Sequence, residues 1–68
     1  MNPASMFCQI IAGVVARHPG VAFLAIKDRF PTVPSKKFRL AVRALVVAEQ
    51  IRPETVDGIT YFFTKGAA

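Results

Sequence analysis

The dipeptide Asp57-Gly58 stands between two apolar-rich stretches, and this junction limits the possible folds more than any other feature of the chain. A two-residue hairpin closed by a type I′ turn needs positive φ at both central positions, which Asp and Gly tolerate. After the junction, Ile59, Tyr61 and Phe63 alternate with Thr60, Phe62 and Thr64 over Ile59 to Thr64, as a strand requires. Ile51 to Val56 is the partner strand. Pro53 lies within it and has no N–H to give a neighbour on that side, so the strand belongs at a sheet edge.

Upstream of the hairpin the chain reads as three helices separated by prolines. The first runs from Pro3 to about Arg17, with Asn2 as N-cap and Pro3 at the first helical position, where a missing N–H costs nothing. Met6, Phe7, Ile10, Ile11, Val14 and Val15 fall within one half of its wheel, and Pro19-Gly20 end it. Ala12, Gly13 and Ala16 stand on the reverse side, where a solvated helix carries charge. Such small residues permit close approach, either by the C-terminal part of the chain or by a second helix across a dimer seam.

The second helix, Val21 to Phe30, shares Phe23, Ile26 and Phe30 on one face, sets Lys27, Asp28 and Arg29 beside or opposite it, and stops at Pro31. Pro31-Thr32-Val33-Pro34 is a tight connection of about four residues, because two prolines forbid continuation. Ser35 then caps a third helix from Lys36 to about Gln50. At about 100° per residue, Phe38, Ala41, Val42, Leu45 and Ala48 occupy one arc of it. Lys36, Lys37, Arg39, Leu40, Arg43, Val47 and Gln50 fall around the other.

Sixty-eight residues make a single domain, 1–68, and so short a chain buries only about 60 % of its unfolded surface. Cys8 has no partner for a disulfide, and with the lone His18 it falls short of the roughly four ligands of a structural zinc site. No metal is expected. Cys8 reads as a small core residue and His18 as a partner of the first helix's dipole. The chain folds by dense packing or by oligomerisation, since 53 % of its residues are hydrophobic and only 19 % charged. Phe30, Phe38 and Phe63 read as core.

The apolar run Ile10 to Ala16 is well short of the roughly 18 residues of a membrane span, as is every other in the chain. No Lys or Arg precedes it to make a secretory n-region, so a cytoplasmic protein is expected. With no Gly-rich phosphate loop, Ser/His/Asp set or carboxylate pair on one element, neither enzymatic activity nor a cofactor nor a small-molecule effector is expected. Charge points elsewhere. Nine Lys and Arg against four Asp and Glu give a net +5, which suits a polyanionic partner. Six of the nine, Lys27, Arg29, Lys36, Lys37, Arg39 and Arg43, lie between positions 27 and 43.

Three helices followed by a hairpin, with a short turn joining the second and third, resemble the winged helix-turn-helix family of MarR-type and ArsR-type bacterial repressors. The resemblance covers nearly the whole chain. Its most specific stretch is Val33 to Thr64: a Val-x-Ser lead-in, apolar Phe38, Ala41, Val42 and Leu45, then Ala48, Ile51, Arg52, the Asp57-Gly58 tip, and the ending Phe63-Thr64-Lys65-Gly66. Two departures are visible. The Pro31–Pro34 turn is about one residue longer than the family's usual connection and lacks its glycine, and Val46-Val47 replace a charged pair near the end of the third helix.

The resemblance implies an α+β fold with a C-terminal β-hairpin wing, double-stranded DNA as partner, and a small transcriptional regulator, most simply a repressor. Its third helix then enters the major groove, the only one wide enough for a helix. Arg39 and Arg43 suit guanine edges; Ser35 and the first amides of the helix suit a phosphate. Lys36 and Lys37 add phosphate charge, Lys27 and Arg29 reach the backbone from the second helix, and Thr55, Asp57 and Thr60 bring the wing to the minor groove. Leu40, Val46, Val47 and Phe62 form a subunit interface or lie under the hairpin, and Ala12 and Ala16 are the further dimer candidates. A homodimer on two half-sites is the leading expectation, and a protein-interaction module using the apolar patch is the alternative.

Overall fold

The computed structural model describes residues 2–65; Gly66 of the C-terminal ending lies outside them. Its elements are α1 (Met6–Arg17), β1 (Val21–Ala22), α2 (Phe23–Lys27), α3 (Ser35–Val47), β2 (Ile51–Val56) and β3 (Ile59–Thr64). They form a small α+β domain of three helices and a three-stranded antiparallel sheet in the order β1-β3-β2.

Both hairpin strands run over the expected residues, and Asp57 (φ 52°) and Gly58 (φ 79°) both adopt the positive φ of the turn. Pro53 is on an edge strand. The Gly20 N–H donates to the Phe62 carbonyl at 2.8 Å, so Phe62 turns its backbone polar groups toward β1. Pro53, opposite Phe62, therefore points its nitrogen at the open edge, where no donor is missed.

The helices depart from expectation at their ends. α1 starts at Met6 rather than Pro3: the Asn2 side chain accepts from Ala4 N–H at 2.8 Å, and Ser5 N–H donates to the Asn2 carbonyl at 3.0 Å. Asn2 and Pro3 thus build a turn, with Pro3 at its favoured second position, and Ser5 caps the helix by accepting from Cys8 N–H. Val21-Ala22, expected as helix, instead pairs with Phe62 and Tyr61 of β3. Pro31 cannot donate to the Lys27 carbonyl, so α2 stops at Lys27 and tightens into i→i+3 bonds from Arg29 and Phe30 N–H. The α2–α3 connection consequently runs from residue 28 to 34. Pro34, not Ser35, supplies the carbonyl that accepts the Phe38 N–H, placing Ser35 at the first helical position.

α3 ends at Val47 because Glu49 adopts φ 61°. Gln50 N–H donates to the Leu45 carbonyl and Glu49 N–H to that of Val46, the paired bonds of a Schellman motif with glutamate where glycine is usual. Ala48 lies past this stop and is exposed rather than core.

Five phenylalanines tie the elements together. Ring centroids lie 5.4 Å apart for Phe7–Phe30, 6.3 Å for Phe30–Phe38, 5.1 Å for Phe38–Phe23 and 6.3 Å for Phe23–Phe62. Phe38 is fully buried, with Ala41, Val42 and Leu45 of α3, Cys8, Ile11, Val14 and Val15 of α1, Ile26, Ile51 and Phe62 around it. Phe62 rather than Phe63 is the core residue of β3; Phe63 is half-buried, with the Arg52 guanidinium 4.8 Å from its ring centroid. Met6 and Ile10, expected on the inward half of α1, are exposed, Met6 to 80 %, because the buried stripe turns toward Cys8. No helix among the described residues is long and apolar enough to cross a membrane.

Candidate nucleic-acid interface

The inward anchoring of α3 fixes what it presents outward. Phe38, Ala41, Val42 and Leu45 face the core, so by helical geometry Lys36, Arg39, Leu40, Arg43 and Val47 line the opposite arc, and all five are exposed. Lys36 to Arg43 spans about 10.5 Å along the axis, two turns of the helix. Lys37 lies to one side of this arc, its ammonium 5.8 Å from the centroid of the Phe7 ring. That is the outer limit of a cation–π contact, and it links the start of α3 to the start of α1.

Arg29 is exposed and Lys27 half-buried, just after and at the end of α2. Among the described residues the ion pairs are Arg52–Glu54 at 3.2 Å and Lys65–Glu49 at 3.5 Å, both in the hairpin region. None of the six cations between positions 27 and 43 takes part. Residues 1–48 hold seven of the basic and one of the acidic residues, a net +6; residues 49–68 hold two basic and three acidic, a net −1. The charge is therefore unevenly distributed along the chain, with most of the unpaired cations on α2, the turn after it and α3, and Arg17 on α1.

The start of α3 adds donors to this charge. Pro34 makes no side-chain cap, and the first turn holds no acidic residue. Ser35, exposed at the head of the helix, and the first amides remain available to an anion.

The outer part of the hairpin is solvated, since every residue from Arg52 to Ile59 is exposed. Thr55 and Thr60 face each other across it with hydroxyl oxygens 3.1 Å apart, next to the Asp57 tip. Of the proposed interface residues, Phe62 is buried and unavailable to a partner, being covered by α2 and the core; Val46 and Ala12 are half-buried against that core. Leu40, Val47 and Ala16 are exposed, the first two on α3 and the third on α1.

A feature that sequence patterning missed lies where β1 gives way to α2 beside the hairpin tip. Ala22, Phe23, Leu24, Gly58, Ile59 and Thr60 line an open apolar groove of about 350 Å³, with Leu24 69 % exposed on its rim. Only the β1–β3 pairing brings these segments together, and two residues are too few for an alternating pattern to announce a strand. No protein-family profile, curated protein or solved structure matches the chain.

Proposed function

We propose that this chain is a sequence-specific duplex-DNA-binding protein of the winged-helix type, a small transcriptional regulator that places the first half of α3 in the major groove. One observation carries the reading: six cations free of ion pairs among the described residues fall on α2, its following turn and α3, with Lys36, Arg39 and Arg43 on the arc opposite the buried Phe38. Arg39 and Arg43 take base edges, while Lys27, Arg29, Lys36, Lys37 and the uncapped head of α3 at Ser35 take phosphates. β1 supports this arrangement mechanically, because it bonds to β3 and runs straight into α2, holding the hairpin and the α2–α3 unit as one body. The hairpin carries no surplus of positive charge, so its part is at the minor groove through Thr55 and Thr60 and not in phosphate neutralisation. Two copies acting as a homodimer would read half-sites about one helical turn apart.

Selection of bound sites from a random duplex pool, followed by mobility shift, tests the reading. Arg39→Ala and Arg43→Ala each weaken binding to the selected site by about 1–3 kcal/mol and relax base preference. Both side chains are exposed, so the fold is unaffected. Wild-type affinity and selectivity in both variants would overturn it.

The apolar groove beside Leu24 and Ile59 favours one other reading, a protein-interaction module. Absence of any duplex shift, together with a defined hetero-partner whose binding is lost on Leu24→Asp, would select it.

A further inference from the structure

The outward arc of α3 is not uniformly cationic. Leu40 sits on it with 45 % of its surface exposed, preceded by Lys36 and Arg39 and followed by Arg43 at helical spacings of four, one and three residues. A single exposed leucine is ordinary on a protein surface. This one is surrounded on its own helix by the side chains that would engage a polyanion, and nearly half of it stays open to solvent. When those cations dock, Leu40 is pressed against whatever lies between the phosphates and edges they contact. In the major groove the apolar group on offer there is the 5-methyl of a pyrimidine.

We infer that Leu40 is a specificity-determining residue that reads a pyrimidine 5-methyl group, on thymine or on 5-methylcytosine, between the bases contacted by Arg39 and Arg43. The inference rests on the duplex-DNA reading above and adds to it an apolar component of recognition that charge alone does not supply. Its chemistry also separates duplex DNA from duplex RNA, because uracil lacks the methyl and the deep, narrow major groove of A-form RNA excludes a helix.

The selected duplex provides the test. Each thymine is replaced in turn by deoxyuridine, which removes one methyl and leaves base pairing intact, and each cytosine in turn by 5-methylcytosine, which adds one. Wild-type protein loses about fourfold in affinity at one thymine, or gains about as much at one methylated cytosine, the value of one buried methyl-sized group. The arm that responds identifies the base. Leu40→Ala binds more weakly and no longer distinguishes methylated from unmethylated duplex. Val47→Ala, which trims an apolar side chain at the far end of the same arc, still does.

Wild-type protein indifferent to every methyl, or a Leu40→Ala variant that keeps the discrimination, would overturn the inference. In either case the sensitivity of the selected site to Arg39→Ala and Arg43→Ala shows that duplex binding itself stands. Failure to enrich any duplex would overturn both.

Discussion

The segregation of charge makes the salt dependence of the proposed DNA binding a quantitative test of which residues meet phosphates. If Arg39 and Arg43 are taken up by base edges, Lys27, Arg29, Lys36 and Lys37 are left for the backbone. Counterion release at about −0.9 per neutralised phosphate then gives log affinity against log salt a slope of about −3.6 per subunit. Between 50 and 200 mM salt that is a loss of roughly 150-fold per subunit. The double variant Lys27→Gln/Arg29→Gln removes two of the four contacts and brings the slope to about −1.8. Its counterpart, Arg52→Gln/Lys65→Gln, lowers the net charge from +5 by the same two units but removes cations that already pair with Glu54 and Glu49. Those pairs are exposed and contribute at most about 1 kcal/mol each, so the fold tolerates their loss. The slope of this second variant stays at the wild-type value. Fluorescence anisotropy of a labelled duplex, titrated at several salt concentrations, measures all three slopes. Equal flattening in the two double variants would refute the assignment, since net charge and not its placement would then govern binding.

Two further outcomes concern the fold that carries the site. Glu49→Gly relieves a left-handed residue at the end of α3 and raises stability by about 0.5–1 kcal/mol, after allowing for the added freedom of the unfolded chain and the loss of the exposed Lys65 pair. Thermal unfolding then shifts upward by a few degrees; an unchanged or lower midpoint would contradict the strain argument. Phe38→Ala empties the centre of the aromatic chain at a cost of about 3–5 kcal/mol, against a total of roughly 3–10 kcal/mol for a domain of this length. Circular dichroism in urea should find the variant largely unfolded or with a much reduced midpoint, and a midpoint near wild type would show that Phe38 does not hold α3 in place.

The parts of the fold that were readable in the sequence are those where a local rule has no strong competitor. Asp57-Gly58 fixed both ends of the hairpin because the turn demands positive φ, and Pro53 assigned the edge because it lacks a donor. The inward and outward arcs of α3 followed from a run of residues long enough to show its period, and with them the exposure of Lys36, Arg39 and Arg43. Elsewhere two local rules competed, or a distant segment decided. Asn2 and Ser5 are both good caps, and Pro3 suits either a helix start or a turn; the Asn2–Ser5 turn won. Tyr61, Phe62 and Phe63 are three aromatics in a row, so alternation alone cannot say which enters the core. Val21-Ala22 carries a helical pattern into α2 and becomes a strand because β3 has an unpaired side to fill. Glu49 gives no sign in its chemistry of a left-handed backbone, which is why the helix read as continuing to Gln50.

Ile51 and Phe62 are the only buried residues of the two hairpin strands, so the core holds the hairpin at its root, while Val56 to Ile59 at its far end stay exposed. Such a cantilever decouples its far end from the folding energy of the body. Residues added between Asp57 and Gly58 would extend an already solvated loop without displacing any core side chain, and loop tips of this kind accept insertions well. This makes the tip a natural place to attach a spectroscopic reporter with which to test for the proposed approach of DNA, leaving the surface of α3 untouched.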